Sequence, residues 1–254
     1  MKHIGAITGD IIGSIYEWNN IKTTEFPLFS KDCFFTDDSV LTLATMDAIT
    51  NNVPYEDAYF KFATNYPGRG YGGGFTSWLY SDRKPYNSWG NGAGMRVSPV
   101  GWAFDTLEET IRQATLSSEV THNHPEGIKG AQATASSVFL ARIGASKEDI
   151  KSYIETTFGY NLNRTCDEIR PIYTFNETCQ GTVPEAIIAF LESTDFENAV
   201  RLAISLGGDS DTLACITGGI SEAFYGEVPK HISDEVEKIL TPELIDIVNN
   251  FNKR

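Results

Sequence analysis

Apolar residues recur along this chain at the three- and four-residue spacing of amphipathic helices. After Thr194 the sequence reads DFENAVRLAISL, which places Phe196, Val200 and Ile204 on one face, and PEAIIAFLES follows a similar pattern. Alternating apolar and polar residues, the pattern of a half-buried strand, are scarce. The best strand candidate, IRPIYTF, contains a proline that disfavours a central place in a sheet. The pattern therefore predicts an all-α fold.

Several predicted helix starts carry capping boxes, in which a side-chain oxygen precedes the helix and an acidic residue follows three positions later. We assign four of them: Asp105 with Glu108, Ser146 with Asp149, Thr182 with Glu185, and Thr194 with Glu197. The C-terminal segment SDEVEKILTPELIDIVNNF reads as two amphipathic helices divided at Pro242. No linker or repeat interrupts this series, so we expect residues 1–254 to form a single domain.

Two predicted helices have unusually small side chains. Gly5, Gly9 and Gly13 are four residues apart and so line one face of the first helix. The run GIKGAQATASSVFLA is likewise rich in glycine, alanine and serine. Because glycine costs about 1 kcal/mol relative to alanine inside a helix, we expect both helices to pack closely against another backbone.

The composition is that of an acidic globular protein. The 254 residues include 20 Lys and Arg against 34 Asp and Glu, a formal net charge of −14. This excess argues against general nucleic-acid binding and, at first sight, against a phosphate-bearing ligand.

No apolar run approaches the roughly 20 residues of a membrane span, and Asp10 and Glu17 interrupt the apolar N-terminus. The four cysteines are scattered, so we expect reduced thiols, a cytoplasmic location and no membrane attachment.

Acidic residues are concentrated at three places. FTDDS precedes the helical run VLTLATMDAI, GGDSDT precedes LACITGGISEAF, and Asp10 and Glu17 are expected on one face of the first helix. Helix capping is the simplest explanation, but a cap needs one oxygen and both helix starts offer two carboxylates and a threonine hydroxyl. The two glycines at 207–208 also let the chain turn Asp209 and Asp211 inward together. Facing carboxylates repel one another, so Mg²⁺ or Mn²⁺ between them suits this pattern.

Two glycine-rich segments, PGRGYGGG and SWGNGAGMR, match neither common phosphate-loop pattern. They read either as flexible surface loops or as backbone N–H groups approaching an anion, with Trp89 available to stack on a flat ring. The segment THNHPEG also allows two interpretations. His122 and His124 are either ordinary turn residues or contacts to a phosphate or ribose at a helix N-terminus.

Taken in order, these segments resemble the ADP-ribosylglycohydrolase family, which includes dinitrogenase reductase-activating glycohydrolases and vertebrate ADP-ribosyl-acceptor hydrolases. The resemblance runs from Gly5 to about Gly226 and depends above all on TDD together with GGDSDT. It implies an orthogonal multi-helix bundle around a binuclear metal centre that holds two Mg²⁺ or Mn²⁺.

The resemblance also implies roles for individual residues. The implied metal ligands are Thr36, Asp37, Asp38, Asp209, Asp211 and Thr212. The implied contacts to the diphosphate and ribose of ADP-ribose are Ser88, Trp89, Gly90, Asn91, Gly92 and His122. The catalytic candidates are Glu17, Asp37 and Asp38, with Glu17 ranked first for proton transfer.

The implied activity is hydrolysis of the glycosidic bond between ADP-ribose and a modified protein side chain or small molecule, with ADP-ribose as product. The acceptor linkage (arginine, serine or another) is left open, and we expect a monomer. Three alternatives stay open: a non-catalytic ADP-ribose- or nucleotide-binding module, a protein that metal only stabilises, and a metal-dependent hydrolase of another substrate. Cations between the convergent carboxylates would also make an acidic protein compatible with an anionic ligand.

Overall fold

The computed structural model describes residues 1–254, which form fifteen helices and no sheet. The all-α prediction is confirmed, and one isolated antiparallel bridge joins Gly90 and Thr178. The helices are α1 (Gly5–Gly13), α2 (Asp37–Asn51), α3 (Tyr55–Asn65), α4 (Gly73–Leu79), α5 (Gly92–Met95), α6 (Ser98–Ala103), α7 (Leu107–Glu119), α8 (Pro125–Arg142), α9 (Lys147–Phe158), α10 (Cys166–Ile169), α11 (Cys179–Glu192), α12 (Phe196–Ser205), α13 (Ser210–Tyr225), α14 (Lys230–Ile239) and α15 (Pro242–Phe251).

Helices α1 and α13 pack closely against each other, and every residue of α1 is buried. The glycine face predicted from the sequence makes this contact, because a Cβ on Gly9 would overlap the carbonyl oxygen of Ala214. A Cβ on Gly5 would likewise meet the carbonyl oxygen of Gly218, and one on Gly13 would meet the backbone of Asp211. Because glycine has no side chain, the first turn of α13, with its acidic residues, can lie directly against α1.

Helix α8 is the second helix with small side chains, and it packs against α5, α6, α7, α11 and α13. Its Gly130 leaves room for the Cys179 side chain of α11, where a Cβ would overlap Sγ. Gly101 of α6 lies equally close to Val138 of α8. The close-packing prediction is thus confirmed for α8, whose N-terminus follows the turn that carries His122.

Helix starts differ from the predicted capping boxes in three of four cases. Ser146 caps α9 as predicted and accepts a hydrogen bond from the backbone N–H of Asp149. Helices α7 and α12 are capped by Thr106 and Asp195, one residue later than predicted. In each case two adjacent residues can cap a helix, and the sequence does not distinguish them. Thr182 was wrong as a cap because it lies inside α11.

The remaining local predictions have mixed outcomes. The segment IRPIYTF forms the end of α10 and a loop, so the strand candidate was wrong. Pro242 is the first residue of α15, which confirms the division of the C-terminal segment. All four cysteines are free and buried. None of the fifteen helices combines the length and apolarity that crossing a membrane requires.

Candidate metal and ligand site

A cavity of about 510 Å³ opens where the starts of α2 and α13 meet the turn after α1 and the loop before α5. It collects residues that are almost 200 positions apart in the sequence. The predicted site residues in its lining are Glu17, Asp37, Asp38, Ser88, Trp89, Gly90, Asn91, Gly92, His122, Asp209, Asp211 and Thr212. Thr36, the remaining predicted site residue, is buried at the N-cap of α2 beside them.

The start of α2 combines a conventional cap with carboxylates that capping does not use. Thr36 is a true N-cap, since its hydroxyl oxygen accepts a hydrogen bond of 3.2 Å from the backbone N–H of Asp38. The backbone N–H of Asp37 is bound to the carbonyl oxygen of Arg69. Asp38 is buried, and its Oδ1 atom has no hydrogen-bond partner. Capping therefore explains Thr36 but not the two carboxylates.

Asp10 of α1 holds this helix start in place. It is fully buried, and its carboxylate accepts hydrogen bonds from the backbone N–H and hydroxyl of Thr36 at 3.0 and 2.6 Å. It also accepts from the backbone N–H of Ser39 at 3.0 Å and from the Ser39 hydroxyl. Asp10 was not among the predicted site residues, although the sequence places it with Glu17 as one of the three concentrations of acids.

The start of α13 provides the second pair of acids. Gly207 and Gly208 both have positive φ angles, +74° and +72°, so the predicted turn is confirmed. Asp209 occupies the N-cap position without capping, and its Oδ2 accepts a hydrogen bond of 2.7 Å from Asn91 Nδ2. The Thr212 hydroxyl lies 3.4 Å from Oδ2 of Asp38. The two helix starts are therefore in direct contact.

Glu17 reaches the site from a turn rather than from α1, which ends at Gly13. The prediction that Glu17 and Asp10 share a helix face was therefore wrong. Asn20 fixes this turn against the loop before α13. Its amide nitrogen donates to the carbonyl oxygens of Glu17 and Gly208, both at 2.8 Å, and its Oδ1 accepts from the backbone N–H of Gly208 at 2.7 Å.

The carboxylates form two overlapping groups. Oxygen atoms of Asp10, Asp38 and Asp211 lie within 4.8 Å of one another, and so do those of Glu17, Asp209 and Asp211. Asp211 belongs to both groups. No Lys, Arg or His forms an ion pair with any of these acids. Such acidic clusters have the ligand chemistry of a divalent metal site.

Burial raises the pKa of every acid in these groups. Neighbouring carboxylates raise it further for all except Asp10, where hydrogen bonds from Ser39 and Thr36 act against the rise. Burial is the main cause for Asp37, Asp38 and Asp211, and neighbouring carboxylates raise the pKa of each further. The pKa of Glu17 rises to about 7, first because of partial burial and then because of Asp209 and Asp10. A cluster of ionised acids is therefore unfavourable here unless positive charge lies among them.

The loop from Ser88 to Gly92 also lines the cavity. The Ser88 hydroxyl accepts a hydrogen bond of 3.1 Å from the backbone N–H of Gly90. The carbonyl oxygen of Trp89 accepts one of 2.9 Å from Cys179 at the start of α11. The Trp89 ring is 49% exposed and lies 5.5 Å from the His124 ring. Hydrogen bonds therefore hold this loop in place, while Trp89 is about half exposed.

Asn91, which belongs to this loop, and the neighbouring His122 are both buried. The Asn91 amide nitrogen donates to Thr182 Oγ1 at 3.1 Å as well as to Asp209, so this side chain links the loop to the acids. His122 Nδ1 lies 2.7 Å from Thr121 Oγ1. Burial lowers the pKa of His122 well below its ordinary value, so its ring is neutral near pH 7.

Residues 3–254 match the family described as ADP-ribosylglycohydrolase, so the chain belongs to this family. It is 26% identical to "ADP-ribosylhydrolase ARH3" of Xenopus tropicalis, over 88% of this chain and 86% of that protein. It is 27% identical to "ADP-ribosylarginine hydrolase Tri1" of Pseudomonas putida (strain GB-1), over 54% of this chain and 38% of that protein. A solved structure of an "ADP-ribosylglycohydrolase-related protein complex" shares the fold, with a TM-score of 0.76 at 20% identity over 99% of this chain and 95% of that one.

Proposed function

We propose that this protein is a metal-dependent hydrolase that cleaves the glycosidic bond between ADP-ribose and an acceptor, a modified protein side chain or a small molecule. One observation carries the proposal. Carboxylates without cationic partners line one cavity together with His122 and the loop from Ser88 to Gly92. Acids that suit divalent cations, beside a glycine-rich loop that carries a half-exposed indole, suit a sugar attached to a diphosphate.

The donor atoms suit two hard divalent cations, Mg²⁺ or Mn²⁺, which prefer carboxylate and hydroxyl oxygens. Asp38 Oδ1 is buried and unpartnered. The Thr36 hydroxyl donates to Asp10 and accepts from the backbone N–H of Asp38, which leaves one lone pair of its oxygen for a cation. The proposed ligands are Thr36, Asp37, Asp38, Asp209, Asp211 and Thr212. Bound cations would polarise ribose oxygens and favour the ionisation of water.

The protein's own acids supply the proton chemistry in this proposal. Cleavage at the anomeric carbon of ribose develops positive, oxocarbenium-like charge, which nearby carboxylates stabilise. Glu17, with a pKa of about 7, can accept or release a proton near neutral pH. We assign proton transfer to Glu17, and we assign to Asp37 and Asp38 the orientation of the reacting groups.

An ADP-ribose release assay tests the proposal. Arginine-, serine- and nucleic-acid-linked ADP-ribose are incubated with the protein and Mg²⁺ or Mn²⁺, and the products are identified by mass spectrometry. We expect release of ADP-ribose from at least one substrate, loss of activity in EDTA and recovery on addition of metal. Release of AMP instead would indicate a phosphoester hydrolase.

Variants locate the activity in the acidic cluster. Asp209→Ala, Asp211→Ala and Asp37→Ala should each abolish release, because each removes a proposed ligand. Asp47→Ala is the matched control, since Asp47 lies on α2 but pairs with Lys61 away from the cavity. Full activity of the Asp209/Asp211 double variant would contradict the proposal. Tight binding of ADP-ribose without release from any substrate would favour the non-catalytic binding module.

A further inference from the structure

Arg96 is a buried cation without a carboxylate partner. Its side chain is fully buried, lines the cavity and takes part in none of the ion pairs of the structure. Its Nε and Nη1 atoms have no hydrogen-bond partner, and its Cζ atom lies 4.4 Å from the centre of the Tyr59 ring. Burying an unpaired charge is costly, so this arrangement calls for an explanation.

Arg96 contacts His122 through one hydroxyl group. Its Nη2 atom donates to Thr121 Oγ1 and to the carbonyl oxygen of Ser117, both at 2.9 Å. The same Thr121 oxygen lies 2.7 Å from His122 Nδ1. Thr121 is fully buried and His122 is 6% exposed, so the geometry of this chain is set by the protein and not by solvent.

The donor and acceptor chemistry assigns the ring hydrogen of His122. A guanidinium group only donates, so Thr121 accepts from Arg96 and has one hydroxyl hydrogen left to donate. The hydrogen bond to Nδ1 uses that hydrogen, which means that Nδ1 is unprotonated and Nε2 carries the ring hydrogen. In the opposite assignment the hydroxyl hydrogen would have to turn away from His122 and toward the Tyr86 phenol.

Tyr86 is the other polar side chain near this hydroxyl, and burial raises its pKa to about 12. A hydrogen bond between the Tyr86 and Thr121 side chains acts against this rise. A phenol that donates to Thr121 fills, together with Arg96, both acceptor positions of the hydroxyl oxygen, which leaves the hydroxyl hydrogen for Nδ1 of His122. The positive charge of Arg96 also lowers the pKa of His122, which opposes protonation of the ring at Nδ1. Both observations favour the neutral ring with hydrogen on Nε2.

The Nε2 atom faces the glycine-rich loop. A Cβ on Gly90 or Gly92 would lie 3.3 or 3.2 Å from it, so the missing side chains keep Nε2 accessible from the cavity. We propose that Arg96 and Thr121 are positioning residues that hold His122 as a neutral Nε2–H donor toward an anionic oxygen of the ligand. The ligand contact rests on the proposed function, whereas the tautomer is a property of the protein alone.

Nitrogen NMR of the ¹⁵N-histidine-labelled protein at pH 7 with Mg²⁺ tests the tautomer. The His122 signals are assigned by their loss in His122→Asn. We expect an Nε2–H ring whose Nδ1 accepts a hydrogen bond. Thr121→Val should shift the Nδ1 signal toward that of a free nitrogen, and Thr121→Ser, which keeps the hydroxyl, should restore it. An Nδ1–H ring or a charged ring in the wild-type protein would overturn the proposal. Because this result comes from the wild-type protein, it does not depend on whether the Thr121 variants fold.

Calorimetric titration with ADP-ribose tests the consequence for binding. Thr121→Val should weaken binding about tenfold, the value of one hydrogen bond, while Thr121→Ser stays within about twofold of wild type. Unchanged affinity in a Thr121→Val protein whose Nδ1 signal has shifted would refute the positioning role. If the wild-type protein does not bind ADP-ribose at all, the proposed function fails, and the NMR spectrum still decides the tautomer.

Discussion

Asp10 shows how one side chain organises the site without lining its cavity. Its two oxygens accept four hydrogen bonds, two from Thr36 and two from Ser39. All four donors come from the start of α2, so Asp10 determines where Thr36 and the adjacent acids lie relative to α1. Only a side chain with two acceptor oxygens can satisfy every donor.

We therefore expect Asp10→Asn to lower the free energy of unfolding by about 2 kcal/mol, because the amide N–H₂ would face hydrogen-bond donors. The variant should also bind Mg²⁺ more weakly, since Thr36 would lose its orientation. Urea unfolding and calorimetric Mg²⁺ titration measure the two effects. Asp47→Asn, which alters an acid paired with the mostly exposed Lys61, should cost less than about 1 kcal/mol and leave Mg²⁺ binding unchanged.

Glu222 is a buried acid that the sequence did not single out. It lies on α13 and accepts hydrogen bonds from the backbone N–H groups of His3 and Gly5, at 2.7 and 2.6 Å. It thereby satisfies N–H groups at the start of α1, where Ile4 has no capping side chain. Burial nevertheless raises the pKa of Glu222 from 4.5 to about 7.

This raised pKa predicts how Glu222 affects stability as the pH changes. Between pH 4.5 and about 7, the folded protein keeps a proton that the unfolded chain has already released. The contribution of Glu222 to stability therefore falls as the pH rises through this window. We expect the unfolding free energy of wild type minus that of Glu222→Gln to decrease from pH 4.5 to 7.5, measured by urea unfolding. Parallel pH profiles of the two proteins would contradict this prediction.

At the scale of helices, the sequence predicted most of the fold, because helix periodicity and cap residues are local signals. It could not predict where α1 ends. The Ser14 hydroxyl donates to the carbonyl oxygen of Ile11 and accepts from the backbone N–H of Phe34, a contact with a distant segment. The chain leaves the helix there, and Glu17 reaches the acids from the following turn. Glu17 lines the cavity as predicted, but its position depends on the end of α1, which tertiary contacts determine.

The glycine spacing of α1 predicted a close contact but not the partner helix. Because a Cβ on Gly9 would overlap the carbonyl oxygen of Ala214, Gly9→Ala must push α1 and α13 apart. We expect this variant to lower the free energy of unfolding by about 3 kcal/mol or more, measured by urea unfolding.

Gly73→Ala is the matched control for Gly9→Ala. Gly73 is also helical, at the start of α4, but a Cβ on it would have no neighbour within 4 Å. Alanine at this position should leave stability unchanged or raise it by up to about 1 kcal/mol. Equal losses in the two variants would indicate a general cost of replacing glycine and not the contact between α1 and α13.

At the scale of the whole molecule, the net charge of −14 conceals an uneven distribution of charge. Asp10 is buried beside five of the predicted acids, which line the cavity: Glu17, Asp37, Asp38, Asp209 and Asp211. Arg96, the cationic residue in the cavity lining, lies on the side of the glycine-rich loop. Composition gives the total charge but not this separation, because the segments involved are brought together only by folding. An acidic protein can thus present a favourable surface to a diphosphate.

The raised pKa values of these acids predict a link between pH and metal binding. Without metal, acids that hold protons more tightly when folded make stability fall as the pH rises. Divalent cations compete with protons for the same oxygens, so their stabilising effect should grow with pH. With Mg²⁺ at about 100 times its dissociation constant, we expect about 2.7 kcal/mol of stabilisation at pH 8, a rise in Tm of about 5–10 °C, and a smaller rise at pH 5.

Thermal unfolding at pH 5, 6.5 and 8, with MgCl₂ or with KCl of equal ionic strength, measures this link. KCl should reproduce little of the effect, because general screening does not place charge between buried carboxylates. The Asp38→Asn/Asp211→Asn double variant removes acids from both overlapping groups, so its Tm should respond to Mg²⁺ no more than to KCl. Two results would show that the converging acids do not hold a cation. One is a rise in the wild-type Tm with MgCl₂ that KCl matches, and the other is a rise that becomes smaller from pH 5 to pH 8.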